Sequence, residues 1–214
     1  NLRLDLPTAP AGTNAAVVNI VAADPSGTGW LSITPCTPLA SSERTSSINF
    51  AHGRSIANSI VAPMTADGEL CVYASTATHV VVDVTGWIGP SGSLTLDEVG
   101  STRVIDTREG LGIPRRLRAG TTTEVDLSDA LSGEDIGAIA LALTAIRPTA
   151  RGYITIDDCT SSDTTSSLNV AARENRSNNG IFALGSGQRL CISTTTTTHI
   201  TIDITGEFGT GSGL

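Results

Sequence analysis

From His199 to Thr205, isoleucines 200, 202 and 204 alternate with polar residues, the period-two pattern of a strand with one buried face. His199, Thr201 and Asp203 share the opposite face. Val80, Val82 and Val84 repeat the pattern earlier in the chain. The same reading predicts strands at Ala15–Ala22, Trp30–Thr34, Leu70–Ala74, Ile139–Thr144, Tyr153–Asp157 and Arg189–Ser193. Asp24-Pro25-Ser26-Gly27, Ala66-Asp67-Gly68 and Arg147-Pro148-Thr149 separate them as turns. Only Leu127–Ile136 suggests a helical turn or short helix. Many short strands between Gly, Pro and Asp turns predict an all-β protein of sandwich type, with jelly-roll or Greek-key connections.

The pattern occurs twice. Cys71–Gly86 reads CVYASTATHVVVDVTG and Cys191–Gly206 reads CISTTTTTHITIDITG, an ungapped match at an offset of 120. Asn49 and Asn58 meet Asn169 and Asn178 at that offset. Farther upstream the offset becomes 123, where Pro25, Gly29, Trp30 and Cys36 meet Pro148, Gly152, Tyr153 and Cys159. A period this long is the size of a domain rather than of a solenoid unit. Two tandem domains related by duplication are expected, at 1–91 and 92–214, with Gly89–Gly100 as linker. Their openings differ. The second begins TRVIDTREGLGIP at Thr102 before its strand near Thr123–Leu127, whereas Leu2–Leu6 matches only that later strand. The first copy therefore lacks its opening strand, which either processing removes or another segment supplies. That segment is a neighbouring molecule's or residues 95–114.

Composition narrows the picture. Aromatics are 3% of 214 residues, so the core rests on Val, Ile, Leu and Ala, which suit pleated packing. A net charge of −8 argues against nucleic-acid binding. Two cysteines fall in each copy at matching positions. The simplest of three connectivities is Cys36–Cys71 with Cys159–Cys191. Such loops contribute about 3–4 kcal/mol each on the chain-entropy account. Disulfides imply an oxidising compartment. Zinc lacks its usual Cys/His spacing here, so neither metal nor cofactor is expected. No signal-peptide or transmembrane run is present, which fits a mature or trimmed secreted form.

Candidate chemistry is weighed against the duplication, because a framework residue recurs while a unique catalyst need not. Asp83 and Asp203 lie in repeated Asp-x-Thr-Gly sequences. An aspartic-protease dyad would use two close carboxylates. The spacing differs from Asp-Thr-Gly by one residue, which reverses the strand face. His79 with Asp83, and His199 with Asp203, would lie roughly 13 Å apart along a strand, too far for a bond. Each is expected to pair with a neighbouring strand. Asp106-Thr107-Arg108 reads as an ion pair and turn pinning the first strand. Asn49, Asn58, Asn169 and Asn178 read as framework amides replacing ladder bonds. Trp30 and Tyr153 are the candidates for stacking on a sugar. Thr194–Thr198 reads as a solvated hairpin. No catalytic residue is assigned.

The sequence TRVIDTREGLG, then Pro-x-x-x-Gly-Tyr-Ile-Thr, Ser-Ser-Leu-Asn and Thr-His-Ile-Thr-Ile-Asp-Ile-Thr-Gly resembles a β-rich tandem repeat of secreted and cell-surface actinobacterial proteins. The second copy matches along nearly its whole length, and Glu207-Phe208 departs from the usual aromatic ending. The resemblance implies an accessory extracellular module without activity of its own. The expected function is structural or adhesive at a cell surface, partnered by the chain itself through strand addition or by envelope components. The alternatives are a carbohydrate- or cell-wall-binding module and, less well motivated, a hydrolase.

Overall fold

Alternating branched and polar residues give antiparallel strands almost throughout, in a computed structural model that describes residues 2–6, 9–37, 45–97, 99–160 and 165–210. The chain divides into two units at Gly92/Ser93. The first contains β1 (Leu2–Asp5), β2 (Ala15–Ala23), β3 (Gly29–Pro35), β4 (Ile48–Phe50), β5 (Ile56–Pro63), β6 (Glu69–Ala74) and β7 (His79–Ile88). One sheet has the order β1-β6-β3-β4 and the other β5-β2-β7. Val18, Ile20 and Ala22 from one sheet share a core with Leu31, Ile33, Leu70 and Val72 from the other. Covering a branched side chain of this kind contributes about 1.5–3 kcal/mol.

The second unit contains β8 (Thr95–Asp97), β9 (Thr102–Asp106), β10 (Thr121–Asp126), β11 (Ile136–Ile146), β12 (Gly152–Asp157), β13 (Leu168–Val170), β14 (Arg176–Ala183), β15 (Arg189–Thr194) and β16 (His199–Gly209). Its sheets run β10-β15-β12-β13 and β14-β11-β16-β8, with β9 also on β16. Strand for strand, β10 to β16 follow the order of β1 to β7. Ile139, Leu141 and Leu143, with Ile200, Ile202 and Ile204 from the neighbouring strand of the same sheet, share its core with Ile154, Leu190 and Ile192 of the other sheet.

Fine detail also recurs. Asp24 and Arg147, each before a proline, take φ of 49° and 48°. Their amides donate to Ser55 Oγ at 3.1 Å and Asn175 Oδ1 at 3.0 Å. Arg3 pairs with Glu69, and Glu124 with Arg189, with the charges exchanged between equivalent strands.

Three sequence expectations change. Gly89–Gly100 is not a plain linker, because β8 forms within it and pairs with β16. Leu127–Ile136 yields only a 3-10 turn at Ser128–Ala130, and β11 begins at Ile136. Thr194, Thr196 and Thr198 are buried rather than solvated. Their hydroxyls serve as loop partners. Ala150 N donates to Thr196 Oγ1 at 3.0 Å, and Thr198 Oγ1 donates to the Ile146 carbonyl at 3.2 Å. A threonine can lie in the interior where its hydroxyl replaces a water that the backbone would otherwise need.

Candidate functional site

The two units differ most along one strand edge. In the second unit, β16 is covered. β9 pairs Thr201 with Asp106, Ile202 with Ile105 and Asp203 with Arg103, and β8 pairs Phe208 with Leu96. Residues 95–97 and 102–106 thus complete their own unit, which removes this stretch as the filler of the first. In the first unit the equivalent strand, β7, pairs with β2 and lies at the edge of its sheet. Among the described residues no strand pairs with its other side.

Side chains on β16 are held by the covering strand. Arg103 donates Nε to Asp203 Oδ1 at 2.8 Å and Nη2 to Oδ2 at 3.0 Å. This two-pronged geometry suits a planar guanidinium and a carboxylate. Asp203 raises the Arg103 pKa through that hydrogen bond and its charge. Thr107 Oγ1 lies 2.9 Å from His199 Nδ1 and accepts from Ile200 N at 3.0 Å. Burial, and after it the charge of Arg116, lowers the His199 pKa and favours the neutral ring. Asp106 receives Arg108 N at 3.0 Å, Arg108 Nε at 2.9 Å and Arg108 Nη2 at 2.6 Å, with Arg103 Nη1 at 3.5 Å. The hydrogen bond from Arg108 is the chief cause holding the Asp106 carboxyl far below the usual carboxylate range. The corner then closes tightly. Gly112 sits at φ +67°, and a Cβ there would lie 2.6 Å from the Val104 carbonyl.

The same positions on β7 lack these partners. Val84, whose alternation with Val80 and Val82 predicts a buried place, is instead 36% exposed, and Val81 is 46% exposed, whereas Thr201 and Ile204 are 3% and 1% exposed. Asp83 faces Asn19 across the β2–β7 ladder and accepts its hydrogen bond. Its Oδ2 is buried with no hydrogen-bond partner. Burial raises the Asp83 pKa, and the Asn19 bond opposes this only in part. A raised native pKa means that the ionised form opposes folding. The penalty is full above the native pKa and disappears below the ordinary aspartate value. Asp83→Asn is therefore expected to raise the melting temperature of the first unit at pH 7, with the gain shrinking as the pH falls toward 4. Calorimetry across that range checks it, and a loss of stability at pH 7 would contradict it.

The repeated Asp-x-Thr-Gly sequence has a backbone role. β2 pairs Val17 with Gly86 and Val18 with Val84, while β11 pairs Ala140 with Gly206 and Leu141 with Ile204. Thr85 and Thr205 are thus the extra residues of matching bulges. A Cβ on Gly206 would lie 2.8 Å from Leu96 Cδ1, so glycine lets the exposed β8 leucine settle close over the strand. At Gly86 a Cβ would meet only Val17, at 3.5 Å and beyond.

The other residues singled out from sequence take these places. Asn58 Nδ2 donates to the Ser47 carbonyl at 2.7 Å, and Asn178 Nδ2 to the Ser167 carbonyl at 2.8 Å. Asn49 accepts from Ser46 Oγ at 3.0 Å, whereas Asn169 Nδ2 is buried without a hydrogen bond. Trp30 and Tyr153 are half-buried. The Trp30 ring packs on Tyr73 at 5.1 Å between centroids. Disulfides join Cys36 to Cys71 and Cys159 to Cys191, with Cα atoms 4.9 Å and 5.0 Å apart. Glu124 lies beside the second pair with ligand-type atoms within 4.8 Å, but both sulfurs are bonded to each other rather than present as metal-binding thiolates. An open groove of about 630 Å³ runs past Asp126, Glu134, Asp135 and Gln188. Among the described residues no helix is long and apolar enough to cross a membrane. Comparison with protein-family models and with curated proteins returns no match.

Proposed function

We propose that the chain is a non-catalytic extracellular structural module, built from two copies of one β-sandwich, that joins a surface assembly by accepting a strand along β7. The observation that carries this reading is the contrast between β16, covered by β8 and β9, and β7, bordered on one side only among the described residues. An unpaired edge presents backbone donors and acceptors at regular spacing, and strand addition uses that array. The shared strand order and recurring hydrogen bonds support duplication. Most connections in each unit cross from one sheet to the other, while β3–β4 and β12–β13 stay within one, which supports a sandwich. The two disulfides fit an oxidising, extracellular location. The DTR and THxxxDxxG sequences support the secreted actinobacterial repeat as its type.

Hydrogen exchange tests the reading. Outward amides of β7 are expected to exchange fast in the isolated chain, while those of β16 stay protected. A synthetic peptide of residues 93–109 is expected to slow β7 selectively. Protection of β7 that is already equal to that of β16 would refute an open edge.

A further inference from the structure

β8 and β9 provide a template for what β7 receives. Along that segment Leu96 lies over Gly206, Arg103 grips Asp203, and Thr107 meets His199. The receiving glycine, aspartate and histidine all recur, as Gly86, Asp83 and His79. Asn19 donates to Asp83, but Leu96, Arg103 and Thr107 have no counterpart in the first unit among the described residues. Asp83 keeps one oxygen buried without a hydrogen bond, a cost that a cationic donor on a docked strand relieves once the side chain turns to meet it. Gly86 likewise gains nothing within its own unit from lacking a side chain, since its neighbourhood leaves room for one.

We propose that the strand accepted by β7 belongs to a separate partner chain and carries the pattern Leu-x6-Arg-x3-Thr, with its arginine clamping Asp83, its threonine meeting His79 and its leucine lying over Gly86. This rests on the strand-acceptance reading above and adds the chemistry of the occupant. It runs antiparallel to β7, as β9 does to β16. Charge complementarity selects arginine, since the chain offers a carboxylate at the centre of the edge. A second copy of this chain is the weaker donor. Its own Leu96–Thr107 segment already covers β16, and lending it would bare one edge to cover another.

The test is a double-mutant cycle on the full chain with the 93–109 peptide as probe. The arginine at the Arg103 position of the peptide is replaced by glutamine, and the chain carries either Asp83 or Asp83→Asn. With Asp83 present, the peptide's arginine is expected to strengthen binding by roughly 10- to 100-fold, the range for hydrogen bonds to charged groups. With Asp83→Asn the two peptides are expected to bind alike. Circular dichroism checks that the variant folds, and His79→Ala provides a second variant with a smaller expected loss. Equal binding of both peptides to the unmodified chain would overturn the arginine–aspartate assignment and leave strand acceptance standing. Binding of neither peptide would remove both. A solution mass that rises with concentration, with β7 becoming protected in parallel, would identify a second copy as the occupant and overturn the separate partner.

Discussion

Replacing Cys36 and Cys71 by serine is expected to unfold the first unit at ambient temperature, while the same change at Cys159 and Cys191 leaves the second unit folded with a lower melting temperature. The two bridges close similar loops, with sequence separations of 35 and 32. Each therefore withholds a similar amount of chain entropy from the unfolded state, about 4 kcal/mol on the chain-entropy account. The units have unequal reserves against that loss. Among the described residues the second core contains twenty buried side chains and the first eleven. The second also covers its β16 edge, whereas β7 leaves Val81, Val84 and Ile88 at the surface. Domains of this size hold about 5–15 kcal/mol in total, so about 4 kcal/mol can exhaust the smaller reserve.

Scanning calorimetry of the two double variants separates the outcomes. The intact chain is expected to show two transitions, the first unit melting below the second. Loss of Cys159–Cys191 should lower the upper transition by roughly 15–25 °C. Loss of Cys36–Cys71 should abolish the lower transition without moving the upper one. Equal shifts in both variants would show that the open edge costs little.

Much of this architecture is legible in the sequence where apolar and branched residues cluster between turns. β2, β3, β6, β12, β15 and β16 all lie where branched residues recur with turns between them. β5 and β14 are harder to see because each is an edge strand, half exposed, and carries polar residues such as Asn58 and Asn178. Those asparagines satisfy the carbonyls of Ser47 and Ser167 across the fold, information that no local pattern contains. β4, β8 and β13 span three residues each, too short for periodicity to register. The threonine run misleads because its composition is polar while its hydroxyls are consumed internally. The candidate edge is legible in a different way. Thr102–Arg108 has no counterpart in the first copy, and the duplication alone exposes that. The Arg103–Asp203 clamp is not legible, since a register shift between Ile202 and Asp203 sets which β9 residue stands opposite the aspartate.

Asp106→Asn is expected to lower the melting temperature of the second unit at pH 7 by on the order of 10 °C. The carboxylate is the hub of the Asp106–Arg108 corner and accepts from a backbone amide and from two arginines. Asparagine keeps one acceptor and loses the charge, so the forked contact to Arg108 cannot persist. Arg103 then loses one of the two carboxylates that orient it toward Asp203. The corner fixes Thr107, whose backbone and hydroxyl contact Ile200, so loosening it frays β9 from β16. The dependence on pH follows from the direction of the shift. A depressed native pKa stabilises the fold above the ordinary aspartate value of 3.8, and that stabilisation fades as the pH falls through the native value. The gap between native protein and Asp106→Asn should therefore be constant from pH 7 to about 5 and narrow below about 4. Melting curves for the upper transition at each pH measure it. A gap that stays fixed into acid would mean that Asp106 acts through shape and not through its charge. If so, the two arginines would be ordinary surface cations and the DTR corner merely a turn.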